Sequence, residues 1–194
     1  MKRTRCTADE SEIEALGQEG GVTRDGVAVY FHTDVTKASV LALLKCVREA
    51  SACATQHTHP LHKPTVYLYI HSGGGDAYAG LSGMDHLLHN SVPITTVADG
   101  MVASAATFLL LAGSHRIAFR HSFLLIHQLS TGFEGKYAEM LDEVHNSHAL
   151  MDTLRSIYRE RTSLPPKRME RLLHKEVTMD AEHCLKDGFV HELA

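Results

Sequence analysis

Apolar and polar residues alternate along the chain with two periods. Val27–Phe31 and Val66-Tyr67-Leu68-Tyr69-Ile70 read as short strands, and so do Ile94–Ala98, Arg116–Phe119 and Phe123–Ile126. Between them the spacing is helical. Val40, Leu43, Leu44, Val47 and Ala50 share one face of a helix over Lys37–Ala52, and Tyr78, Leu81, Met84, Leu87 and Leu88 share one face of a second. A third apolar helix, Thr107 to Ala112, opens near Ser104. Strand–helix alternation of this kind predicts βαβ units and a mainly parallel sheet, hence an α/β fold.

After Phe123–Ile126 the character changes. A polar, glycine-containing stretch, Leu129 to Lys136, leads into a long amphipathic helix over Tyr137–Arg161. Its apolar positions (Tyr137, Met140, Leu141, Val144, Met151, Leu154, Tyr158) recur about every 3.5 residues. A stripe this long points to packing against another subunit rather than the chain's own core. Pro165-Pro166 restarts a short helix, and Asp180 reads as the cap of a last one ending at Gly188. Residues 1–25 are polar and without periodicity, and a flexible or removable arm is expected there, ahead of one domain over 26–194.

The 194 residues are 44% apolar, enough for one sizeable core. No run reaches transmembrane length and no apolar stretch follows Met1-Lys2-Arg3-Thr4-Arg5, so neither a membrane span nor a signal peptide is expected. The net charge of −4 argues against nucleic acid as a partner. Cys6, Cys46, Cys53 and Cys184 form no C-x-x-C pair, which fits a reducing, cytoplasmic setting. There are 15 histidines. His57-x-His59-x-x-His62 has metal-like spacing, but it lies in a loop with Pro60 and Pro64. The better reading is a polar loop with no metal site.

The chemistry concentrates at strand ends, where open α/β sheets place their sites. Ser104 stands in Gly100-Met101-Val102-Ala103-Ser104-Ala105-Ala106, a tight strand-to-helix turn of small residues. Such a turn exposes the hydroxyl and puts free N–H groups beside it. His127 ends the Phe123–Ile126 strand, and Gly73-Gly74-Gly75 ends the Val66–Ile70 strand. A serine needs a base, an acid behind the base, and donors for a developing oxyanion. Ser104 and His127 meet the first demand if their strands end side by side. The glycine turn lets backbone approach a reacting carbonyl closely. Read from spacing alone, the serine could equally be a cap, and the glycines a plain turn or a phosphate cradle.

Three segments, Ile70-His71-Ser72-Gly73-Gly74-Gly75, Gly100-Met101-Val102-Ala103-Ser104-Ala105 and Ile126-His127-Gln128, resemble the signature segments of the proteolytic subunit of the Clp protease, ClpP. Their order and spacing match, as do Gly132-Phe133-Glu134-Gly135 and the tail from Met179 to Gly188, so the resemblance covers about residues 27 to 192. It implies a ClpP/crotonase-like fold, with mainly parallel sheets and a protruding handle helix. It implies a serine endopeptidase that cleaves unfolded proteins or peptides in a ring-shaped chamber. Carried over, Ser104 would be the nucleophile, His127 the base and Glu176 the acid. The N–H groups of Gly75 and Ala105 would form the oxyanion hole. Gly74, Gln128, Gly132 and Phe133 would bind substrate. The assembly implied is two stacked heptameric rings of this chain, fed by an AAA+ unfoldase. ATP would be used by that partner alone, and the peptidase itself would need no cofactor.

The chain departs from the family pattern at several positions. His71 and Gly73 stand where the family has asparagine and proline, and Leu129 where it has proline. Glu176 stands where it has aspartate, four residues ahead of Asp180. The N-terminal segment does not resemble the family's axial hairpin. Other readings are a phage-type prohead maturation protease, a non-catalytic ClpP-like ring subunit, and an acyl-CoA-binding crotonase.

Overall fold

A computed structural model describes residues 21–57 and 63–194. Most of the expected arm, Cys6, His59 and His62 lie outside the described residues. The chain opens on a hairpin, β1 (Val22–Asp25) and β2 (Ala28–Phe31), paired antiparallel around Gly26-Val27. Gly26 takes a φ of 57°, the positive value that tight hairpin turns require at their first central position. Val22–Asp25, expected in the arm over 1–25, instead form this first strand, and the Val22 side chain is buried in the core. Four residues with one buried side chain give too weak an alternation to read, although Asp25-Gly26 is a hairpin signal.

Strand β3 (Val66–Ser72) shows the alternation plainly: Val66, Leu68 and Ile70 are fully buried, while Tyr67 and His71 face out. Strand β4 (Ile94–Ala103) is buried on both faces over its first five residues, as a central parallel strand should be. The sheet runs β1-β2-β3-β4-β5-β8, where β5 is His115–Ala118 and β8 is Glu192–Leu193. Every pair in that order after the hairpin is parallel. The expected α/β architecture is thus present, built on a mostly parallel sheet.

The feature that positions the site is the length of β4. The sequence suggests a strand ending near Ala98, yet it continues through Gly100 to Ala103. Residues 95–98 pair with β5, and residues 101–103 then pair with a second strand, β6 (Phe123–Leu125). The register sets Ala103 opposite Leu125. The residues just past each strand, Ser104 on one side and Ile126-His127 on the other, are thereby level. Strand β7 (Met179–Asp180) adds antiparallel to β6 and brings the C-terminal segment to the same edge.

Six helices complete the described residues. Helix α1 (Lys37–His57) starts with a reciprocal cap: Thr36 N donates to Ser39 Oγ at 2.9 Å, and Ser39 N donates to Thr36 Oγ1 at 3.0 Å. It runs five residues beyond the Ala52 end expected for it. Helix α2 (Ala77–Leu88) is capped by Asp76, which accepts from Ala79 N. It buries Ala79, Gly80, Gly83, Met84 and Leu87, and Tyr78, expected on that face, is 64% exposed instead. Small residues mark this face because the helix packs closely: a Cβ at Gly83 would lie 2.7 Å from Leu109 Cδ2.

Helix α3 (Ala106–Leu111) is wholly buried. Helix α4 (Tyr137–Arg161) has the limits its stripe suggests, but the stripe divides. Leu150, Leu154 and Tyr158 are in the core, while Tyr137, Met140, Leu141 and Val144 face solvent. Helix α5 (Pro166–Leu173) begins with a proline in its first turn, where the missing N–H costs nothing. Helix α6 (Ala181–Lys186) is capped by Asp180 and followed by Gly188 at a φ of 76°. Among the described residues no helix is long and apolar enough to cross a membrane.

Candidate active site

Ser104 follows the last residue of β4 and is the one non-glycine with positive φ (53°) among the described residues. A left-handed serine costs about 1–3 kcal/mol, which the surroundings must offset. They do so from several sides. Ser104 N donates to Leu125 O at 2.8 Å, tying the turn to β6. The Ser104 carbonyl accepts from Thr107 N at 3.0 Å and from Thr107 Oγ1 at 2.6 Å. Gly74 closes the space behind it: a Cβ there would lie 2.6 Å from Ser104 Cβ and 2.7 Å from the Ala103 carbonyl. With a φ of 98°, Gly74 is a position that no side chain could occupy without moving the serine.

Gly75 and Ala105 line the same cleft as Ser104. Gly75 is bridged in parallel to Val35 through its neighbours: Val35 N donates to the Gly74 carbonyl, and Asp76 N donates to the Val35 carbonyl. The N–H of Gly75 itself is therefore turned away from that bridge. Ala105 precedes α3, at the end of a helix where N–H groups have no carbonyl one turn back. Gly75, Ser104, Ala105, His127, Gln128 and Leu129 line one cleft of about 100 Å³, floored by Phe108 and Tyr158. A larger hollow of about 660 Å³ lies at Asp34–Ala38 and Gly73–Asp76, but it holds neither the serine nor the histidine. Chemistry rather than size selects the smaller cleft.

His127 Nδ1 lies 2.7 Å from the carbonyl oxygen of Gln128. A carbonyl only accepts, so that contact places the ring proton on Nδ1 and leaves the Nε2 lone pair free. Glu176 Oε1 is 3.8 Å from the same Nδ1, close enough for an ion pair and too far for a hydrogen bond. The Glu176 side chain is 75% exposed. Asp180 is committed elsewhere. It accepts from His183 N at 2.9 Å and faces His183 Nδ1 at 2.7 Å, and these contacts, the backbone one foremost, hold its carboxyl below the ordinary aspartate range.

Ser104, His127, Gly75, Ala105 and Gln128 thus come together, Gly74 backs them, and Glu176 stands at the edge. Gly132 and Phe133 are exposed and outside the cleft. Among the described residues no three His, Cys, Asp or Glu side chains are grouped to hold a metal ion. Sequence reasoning passed over Thr107 and Tyr158. The available signal was a single hydroxyl in the apolar run from Ala105 to Ala112.

Residues 57–194 match a family model described as Clp protease. The chain is 33% identical over 130 residues to the ATP-dependent Clp protease proteolytic subunit of Deinococcus radiodurans, covering 66% of this chain and 64% of that protein. It is 32% identical over 130 residues to proteolytic subunit 1 of Gloeobacter violaceus, covering 66% of each. The Chlorella vulgaris proteolytic subunit is 30% identical over 131 residues, covering 66% of this chain and 65% of that one. The matched region spans about two thirds of the length of these curated relatives.

Proposed function

The chain belongs to the Clp protease family, and from that premise we propose that it is a serine endopeptidase acting by acyl transfer. Ser104 Oγ attacks the scissile carbonyl, and His127 Nε2 takes the proton and returns it to the leaving amine. The N–H groups of Gly75 and Ala105 receive the oxyanion. Water then releases the acyl group by the same route. Glu176 steadies the imidazolium from outside, while the Gln128 carbonyl holds the ring's tautomer. No cofactor takes part. The observation that carries this reading is the left-handed Ser104 sharing one small cleft with His127 and two backbone donors.

The substrate proposed is an extended peptide or unfolded protein, and the setting is a cytoplasmic chamber of two stacked heptameric rings. What supports assembly is the outer half of α4. Tyr137, Met140, Leu141 and Val144 present an apolar stripe left exposed among the described residues. An AAA+ unfoldase is the partner proposed, and it would be the consumer of ATP.

A fluorophosphonate probe tests the chemistry, and native mass tests the assembly. The parent chain should be labelled at a single site, in a species many times its monomer mass. An unlabelled parent would remove the peptidase reading. A labelled monomer, stable across micromolar concentrations, would remove the chamber.

A further inference from the structure

Thr107 and Tyr158 lie beneath the Ser104 turn and have no part in the roles above. Thr107 is fully buried in the first turn of α3, and Tyr158 is buried on α4. The Thr107 hydroxyl is 2.6 Å from the Ser104 carbonyl and 2.9 Å from the Tyr158 hydroxyl. A threonine hydroxyl has one proton to donate. The carbonyl only accepts, so that proton goes to Ser104, and Thr107 Oγ1 must accept from Tyr158. The direction is fixed: Tyr158 O–H to Thr107 O–H to Ser104 C=O. Burial pushes the Tyr158 phenol well above its ordinary range, which keeps it protonated and a donor.

Resting on the peptidase reading of Ser104, we propose that Thr107 and Tyr158 are positioning residues that hold the nucleophile in its left-handed conformation. A serine backbone does not choose that region unaided, so contacts on its own peptide groups must select it. The relay acts on the carbonyl of Ser104 itself, and hydrogen bonds in series strengthen one another in a dry interior. The same helix also reaches the opposite wall of the cleft, where Met151 Sδ accepts from Leu129 N at 3.1 Å. Helix α4 therefore supports both the serine and the segment after His127.

The competing account is structural: a threonine near a helix start bonds back to a carbonyl, and a buried tyrosine needs some partner. The two accounts differ in what they move. Thr107→Val, Thr107→Ser, Tyr158→Phe and the double variant Thr107→Val/Tyr158→Phe are to be made in the full chain. Each is assayed for kcat and KM on a fluorogenic peptide, for fluorophosphonate labelling rate, for hydrogen exchange across residues 104–108, and for Tm.

Thr107→Val is expected to lower kcat and labelling about 10- to 100-fold, with KM within about twofold, because the nucleophile is misaimed rather than substrate lost. Exchange of the residue 107 amide should quicken about tenfold. Thr107→Ser should restore both, and Tyr158→Phe should lie between. The double variant leaves no polar group buried alone, so it should keep the parent's Tm while still losing kcat. A double variant with parental kcat and exchange overturns the proposal, and so does a kcat loss that follows Tm and is not restored by serine. An unlabelled parent overturns the peptidase reading instead. The exchange measurement then decides the relay by itself, supporting it if the 104–108 segment loosens and overturning it if not.

Discussion

The two ends of the candidate site are built differently. At the serine end the backbone is held on every side: Leu125 and Thr107 bond to Ser104, and Gly74 leaves no room behind it. At the acid end, Glu176, Val177 and Thr178 are all exposed, and the carboxylate stands 3.8 Å from the imidazole. The contrast shows where one chain invests its preorganisation. Under the proposed mechanism, the atoms to be aimed at a substrate carbonyl are the ones fixed by buried contacts. The carboxylate, which under that mechanism only steadies a charge, is left in solvent, where an ion pair contributes about 0–1 kcal/mol. A backbone carbonyl, that of Gln128, holds the imidazole Nδ1 at 2.7 Å, the contact that an orienting acid would otherwise make.

The most severe way to break this comparison is at the nucleophile. Ser104→Ala should lower peptide turnover by about a thousandfold or more, with circular dichroism unchanged and probe labelling abolished. Gly74→Ala attacks the same end from behind. Its Cβ would be driven onto Ser104 Cβ and the Ala103 carbonyl. Turnover should fall about 100-fold, and Tm should fall with it, since both the contact and the positive φ resist alanine.

Glu176→Gln tests the other end. With Gln128 still holding the tautomer, turnover should fall only about tenfold, at constant stability. A loss as deep as that of Ser104→Ala would erase the asymmetry argued above.

The smallest effect belongs to Asp180→Asn, since asparagine caps about as well as aspartate. Turnover should stay within about twofold of the parent. Its signature is in pH instead. The Asp180 carboxyl titrates below its ordinary value in the folded chain. Its contribution to stability is therefore complete above the unfolded value of 3.8 and is lost as pH falls through the folded value. Thermal melts of the parent should drop more steeply than those of Asp180→Asn as the pH is taken below 3.8. Parallel curves would show that the cap carries no charge-dependent stability.

Much of the architecture was legible because its signals are local. Apolar runs end at glycines or at capping residues, so β3, α2 and the limits of α4 follow from neighbouring residues. The Asp180 cap was legible for the same reason. What escaped depends on tertiary context. Continuation of β4 through Gly100 requires β6 as a new partner after β5 ends. The buried face of α2 carries glycine because Val40 and Leu109 press against it, so hydrophobic bulk pointed to Tyr78 wrongly. In the site, Ser104, His127 and the glycine turn were visible as residue types at strand ends. The φ of Ser104 and its support by Tyr158, 51 residues on from Thr107, were not.

The positive φ of Ser104 sets an evolutionary price on function. Glycine would adopt that backbone without strain, so Ser104→Gly removes the proposed nucleophile and relieves the turn in one change. Glycine also adds freedom to the unfolded chain, about 0.4–1 kcal/mol, which offsets only part of the roughly 1–3 kcal/mol of strain relieved and leaves stability unchanged or raised. Selection for stability alone would thus have little reason to keep a serine at this position. A lineage that no longer needed hydrolysis could drift to glycine here at no cost to folding.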